Sequence, residues 1–169
     1  MLQRKNESYT LRFVHRLWIF GFFFCFNCGG FELRLITVDE LLREVRSYRG
    51  EKAVLVNIWA TWCKPCVDEF PMIVNLENTE KDLKVIFVSA DFIDNKKEVK
   101  KFLIQQNLKE DLFIKNQKDQ KFIDGLHKDW TGALPFTILF GKTTGKVVDY
   151  WEGKRSKKEF LAAIRKTIK

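Results

Sequence analysis

Apolar residues along this chain recur with two periods. Lys52 to Ala60 is almost continuously apolar, which predicts a strand buried on both faces of a helix-covered sheet. Lys84 to Asp91 reads as a second strand, Leu112-Phe113-Ile114 as a short one, and Pro135 to Phe140 as another. Gly141 to Gly145 is a turn, and Lys146 to Trp151 returns beside it as an edge strand that Gly153 ends. Between these runs the spacing becomes helical. Val38, Leu41, Leu42, Val45 and Tyr48 form one stripe, opened by the capping box Thr37-Val38-Asp39-Glu40 and closed at Gly50. A helix from about Cys63 to Glu77 contains Pro71, which predicts a kink. Asp94-Asn95 open a basic helix to about Asn107, with Val99, Phe102, Leu103 and Ile104 on its apolar side. Gln117 to His127 has Phe122, Ile123 and Leu126 inward. A second capping box, Ser156 to Glu159, opens the last helix, with Phe160, Leu161, Ile164 and Ile168 inward. The fold class is α/β.

The chemistry gathers at Trp62-Cys63-Lys64-Pro65-Cys66. Two thiols three positions apart are brought to bonding range by one helical turn. Pro65 suits a first turn, where a missing N–H costs nothing. Cys63 then sits at a helix mouth, where free backbone N–H groups and the positive dipole end favour a thiolate. Cys66, one turn in, is more enclosed and placed to resolve a mixed disulfide.

The run Val56-Asn57-Ile58-Trp59-Ala60-Thr61-Trp62-Cys63-Lys64-Pro65-Cys66-Val67-Asp68-Glu69-Phe70-Pro71 resembles the active-site region of thioredoxin-fold proteins. It is most similar to the extracytoplasmic, membrane-tethered thiol–disulfide oxidoreductases of the TlpA/ResA type. The resemblance implies a central mixed sheet flanked by helices. The helix and short strand between the second main strand and Pro135 resemble that group's central insertion. The general thioredoxin pattern has a proton-accepting aspartate where this chain has Asn57. The TlpA/ResA group has asparagine there and a glutamate three residues after the second cysteine. The resemblance therefore moves proton handling to Glu69 and leaves Asn57, Lys64 and Pro65 as supports. It also implies that Pro135 is cis and faces the dithiol, with the backbone at Leu134 offering an edge to a substrate chain. Trp62 is expected at the active-site surface, and Trp59, Trp130 and Trp151 in the core.

The implied reaction is thiol–disulfide exchange on protein disulfides, with Cys63 as nucleophile and Cys66 as resolving thiol. Lys64-Pro65 resembles reducing members. The resemblance implies a membrane electron donor and, as a substrate, the haem-attachment disulfide of apocytochrome c. The redox-active pair needs no other cofactor. Three readings compete: a redox-inactive binding lipoprotein of the same fold, an oxidising or isomerising exchange protein, and a peroxide-reducing enzyme. The first predicts no insulin reduction. The last needs a Pro-x-x-x-Thr-x-x-Cys arrangement, whereas Thr61 lies two residues before Cys63 and lacks the proline.

Length and charge refine the organisation. The 169 residues allow one domain, 31–169, behind an N-terminal segment, 1–30. Arg4, Lys5, Arg12 and Arg16 precede the apolar run Leu17 to Phe26, which is shorter than the roughly 20 residues a spanning helix needs. This is the layout of an export signal, and Cys28 before Gly29-Gly30 is a candidate for lipidation, with Cys25 a weaker one. Export places the dithiol outside the cytoplasm. The net charge of +8 is spread along helical stretches, which fits a solvated face near anionic lipid better than a nucleic-acid site. The gap between the two Cys-x-x-Cys pairs exceeds the ~15–20 residues of zinc ribbons. Neither His15 nor His127 has ligand spacing, so no metal is expected.

Overall fold

The computed structural model describes residues 32–108 and 112–168. The expected export segment, with Cys25 and Cys28, lies outside the described residues, as does the boundary assigned to it. Among the described residues six strands form one sheet, β1 (Arg34–Ile36), β2 (Ala53–Trp59), β3 (Leu83–Ser89), β4 (Leu112–Lys115), β5 (Phe136–Phe140) and β6 (Val147–Glu152). Their order across the sheet is β1-β4-β3-β2-β5-β6. β1, β4, β3 and β2 are parallel, whereas β5 and β6 run antiparallel, so the sheet is mixed. The helices are α1 (Val38–Ser47), α2 (Lys64–Thr79), α3 (Lys96–Gln105), α4 (Asp119–Leu126) and α5 (Lys157–Thr167).

Every residue of β2 is buried, because its alternating side chains feed two cores. Ala53, Leu55 and Trp59 point to a core shared with Phe70, Ile73 and Leu76 of α2, Val99 and Leu103 of α3, and Phe160 and Ile164 of α5. Val54, Val56 and Ile58 point the other way, toward Val38, Leu41 and Val45 of α1 and Phe122 and Leu126 of α4. By this alternation Asn57 faces α2. Phe70 fixes α2 to the sheet: its ring stacks on Phe87 at 4.1 Å and meets Trp59 edge-on at 4.8 Å.

Both capping boxes form. The Thr37 N–H donates to Glu40 Oε2 at 2.8 Å while the Glu40 N–H donates to Thr37 Oγ1 at 3.4 Å. The Ser156 N–H donates to Glu159 Oε2 at 2.8 Å. Thr37→Ala removes an acceptor for an unpaired helix N–H and is expected to lower stability by about 1 kcal/mol in urea unfolding.

Several boundaries differ from the sequence reading. β1 has no counterpart there, since only Ile36 of its three residues is buried. α2 contains Pro71, as expected, and runs two residues past the expected Glu77, to Thr79. Ile104 is exposed, because it lies about 100° round α3 from buried Leu103. The expected Asp94-Asn95 start is a short 3₁₀ turn, Ile93–Asn95, ahead of α3. α3 and β4 form the expected insertion: β4 lies between β3 and β1, extending the parallel half of the sheet.

Candidate active site

β2 ends at Trp59 and α2 begins at Lys64, so a four-residue turn, 60–63, carries Cys63 from the sheet to the helix. Cys63 is the N-cap of α2, and the Cys66 N–H points at its sulfur, 3.3 Å away. That N–H belongs to the unpaired donors of the first helical turn, which are free to hold an anionic sulfur. Cys63 and Cys66 are joined as a disulfide. Cys63 keeps 5% of its surface exposed and Cys66 only 1%. The Cys63 sulfur is therefore the less enclosed of the two. Lys64 and Pro65 are exposed, and Lys64 pairs with Asp68 on the next turn.

Glu69 lies one turn beyond Cys66 and is buried. Asn57 Nδ2 donates to Glu69 Oε1 at 3.4 Å and to Thr137 Oγ1 at 3.0 Å. The Arg155 backbone N–H donates to Glu69 Oε2 at 3.3 Å. Burial disfavours the charged form and raises the carboxyl to about 7, with the hydrogen bonds from Arg155 and Asn57 and the charge of Lys154 offsetting part of the rise. A carboxyl that titrates near neutrality one turn from a thiol is suited to accept its proton.

The Leu134–Pro135 peptide is cis. Leu134 packs against the core cluster that contains Cys63 and Cys66. Trp62, 67% exposed, shares with Leu134 a cavity of about 140 Å³ walled also by Phe122, Ile123 and Trp130. Thus Trp62, next to Cys63 in the chain, and Leu134 line one cavity at this end of the sheet. The Lys115–Asp119 ion pair lies on the same cavity's wall. Trp59, Trp130 and Trp151 are buried.

A thioredoxin family model matches residues 33–131, from β1 through the catalytic turn and the insertion. The chain belongs to the thioredoxin family. It is 36% identical over 125 residues to the thiol-disulfide oxidoreductase ResA of Bacillus thuringiensis (strain Al Hakam), covering 73% of this chain and 67% of that protein. It is 32% identical over 132 residues to the thioredoxin-like protein YneN of Bacillus subtilis (strain 168), covering 76% and 72%. In structure it is similar to a thiol:disulfide interchange protein of the thioredoxin family from Chlorobium tepidum TLS, with a TM-score of 0.57 and 22% identity over 78% of this chain and 90% of that one. This thioredoxin-family chain is a thiol–disulfide oxidoreductase of the ResA type, an enzyme whose substrates are disulfide-containing proteins.

Three residues of the site escaped the sequence reading. Thr137 stands directly opposite Asn57 in the β2–β5 register and holds its amide. Arg155 contributes a backbone N–H from the loop before α5. Asp91, just past β3, is buried beneath the catalytic turn. None lies within 20 residues of Cys63 along the chain, so no local motif announces them. His127 packs its ring on Tyr150 at 3.8 Å rather than standing free in solvent. Among the described residues no group of His, Cys, Asp and Glu is arranged to hold a metal.

Proposed function

We propose that this enzyme reduces protein disulfides outside the cytoplasm, tethered there by its N-terminal segment. The observation that carries the chemistry is a single constellation: a disulfide whose outer sulfur caps α2, with a buried Glu69 titrating near 7 one turn behind the inner sulfur. The Cys63 thiolate attacks one sulfur of a substrate disulfide, forming a mixed disulfide and releasing a thiolate that takes a proton from water. Cys66 passes its proton to the Glu69 carboxylate, and its thiolate attacks the Cys63 sulfur. The second substrate thiol leaves, and the Cys63–Cys66 disulfide remains. Two electrons have moved from the enzyme to the substrate, with no cofactor beyond the dithiol.

Trp62 and Leu134 position the substrate chain, with the segment beside cis Pro135 offering backbone for pairing. Lys64, Pro65 and Asn57 support the site, the last by holding Glu69. A membrane electron donor restores the dithiol. The haem-attachment disulfide of apocytochrome c is the candidate substrate, supported by the kinship with ResA. The basic stretch before the apolar run Leu17 to Phe26 favours export, and Cys28 is the candidate lipidation site. Among the described residues no helix is long and apolar enough to cross a membrane.

The test is the equilibrium potential with glutathione together with insulin reduction. A reductant is expected near thioredoxin, about −270 mV, and active on insulin. A potential near that of strong periplasmic oxidants, about −120 mV, would reverse the direction. Complete inactivity toward insulin and toward a Cys-x-x-Cys-His disulfide peptide would favour a binding protein instead.

A further inference from the structure

We propose that Asp91 is a positioning residue for Cys63: it clamps the turn that presents the nucleophile, and its charge opposes formation of the Cys63 thiolate. Asp91 is 1% exposed. Its Oδ2 accepts from the Thr61 N–H at 2.9 Å and from the Ser89 hydroxyl at 2.7 Å, and its Oδ1 accepts from the Thr61 hydroxyl at 2.6 Å. The Asp91 N–H returns a bond to Ser89 Oγ at 3.1 Å. Thr61 is two residues before Cys63. One residue of the turn is thus gripped at both its amide and its side chain from the end of the neighbouring strand. Two backbone bonds brace the same turn: the Ala90 N–H to the Trp59 carbonyl at 2.7 Å, and the Cys63 N–H to the Ala60 carbonyl at 3.1 Å.

A clamp alone does not call for a carboxylate. An asparagine or serine oxygen could take the Thr61 amide without the cost of burying a charge. What a carboxylate adds is a negative charge fixed to Thr61, two residues before the one that must become an anion. The amide end of α2 pulls Cys63 toward thiolate, and Asp91 pulls against it. A thiolate stabilised too strongly favours the reduced enzyme and makes the pair an oxidant. Asp91 therefore biases the pair toward giving electrons away. Among the described residues, other charged groups at this end of the sheet include Asp94, Lys118 and the Lys115–Asp119 pair, which line one pocket with Asp91, and Glu69 on α2, the Lys64–Asp68 pair, and Lys154 and Arg155 before α5. Asp91 differs from them in reaching the turn of Cys63 through two hydrogen bonds, both to Thr61.

This inference rests on Cys63 being the nucleophile, and the test separates the two claims. Asp91→Asn keeps the shape and removes the charge. In the reduced protein, thiolate absorbance is titrated against pH, and peptide mapping of iodoacetamide-labelled protein identifies the first thiol to react. The Cys63 ionisation constant is expected to rise about fivefold, and the glutathione equilibrium to shift by a similar factor toward the reduced enzyme. A clamp without an electrostatic role loosens the turn and weakens the amide hold, so it predicts an unchanged or lower constant. Either of those results in folded protein overturns the proposal. Ser89→Ala keeps the carboxylate and deletes one of its donors. It is expected to lower the constant about twofold, and it carries the test if Asp91→Asn does not fold; there, no change or a rise overturns it. Label appearing first on Cys66 would refute the assignment of the nucleophile, whereas label on Cys63 with a parental constant refutes only the role of Asp91.

Discussion

Cys63→Ser is expected to abolish disulfide reduction, lowering insulin turnover at least about a thousandfold. Cys66→Ser is expected to stall after the first step with substrate still attached. The asymmetry follows from where the two sulfurs sit. Cys63 is the less buried member, next to exposed Trp62, and it holds the helix-capping position with the Cys66 amide aimed at it. A serine hydroxyl there stays protonated at neutral pH and cannot displace a thiolate from a disulfide. Cys66 has almost no surface from which to meet a protein substrate, yet it lies one residue-turn from the sulfur it must attack. Its loss therefore leaves the first attack intact and removes the second. Mass spectrometry of the Cys66→Ser protein, purified without reductant from its native host, should show a thiol-sensitive adduct through Cys63. An adduct through Cys66 in the Cys63→Ser protein, with none in the converse variant, would invert the assignment. The captured polypeptide also decides whether an apocytochrome c is the substrate.

What the sequence reveals and what it hides differ by distance along the chain. The dithiol, Pro65 and Glu69 fall within one turn-and-helix segment, so helical geometry alone relates them. The strand before them is legible because burial on both faces leaves an unbroken apolar run. Pro135 is legible because a proline at the head of a strand stands out, and the family resemblance supplies its meaning. β1 is not legible: it has three residues, two of them exposed, and its pairing with β4 is settled by the insertion. Thr137 and Asp91 are hidden for a related reason. A threonine in a strand and an aspartate after one are ordinary residues until the sheet register sets them against Asn57 and Thr61. Ile104 shows the converse error, in which an apolar residue at a plausible spacing is left in solvent because Val99 and Leu103 already fill the contact.

Glu69→Gln is expected to slow the resolving step by about a hundredfold and, at the same time, to stabilise the oxidised protein above neutral pH. The two effects share one cause. In the folded enzyme the carboxyl titrates at about 7, against an ordinary value of 4.5, because burial penalises its charge. Below pH 4.5 it is neutral whether the chain is folded or not, and burial of the neutral acid carries no charge penalty. Between 4.5 and 7 the unfolded chain releases the proton while the folded chain retains it, so stability falls as pH rises. Above 7 both states are ionised and the whole penalty stands, up to about 3 kcal/mol from the displacement of the titration. Glutamine resembles the neutral acid at every pH. Its oxygen accepts from the Arg155 N–H, and Asn57 can turn its amide so that Oδ1 takes the glutamine donor and the Thr137 hydroxyl. Glu40, Asp68, Asp82 and Glu159 have carboxyls lowered chiefly by hydrogen bonds, so their stabilisation is lost as pH falls, equally in both proteins. The difference between parent and variant therefore isolates Glu69. Urea unfolding of the oxidised pair of proteins from pH 4 to 8.5 should show curves that agree near pH 4 up to a constant offset. They should then diverge in favour of the variant between about pH 4.5 and 7 and run parallel again above that. Parallel curves over the whole range would show that Glu69 is ionised in the fold well below neutrality, and the proton-accepting role would fail with it.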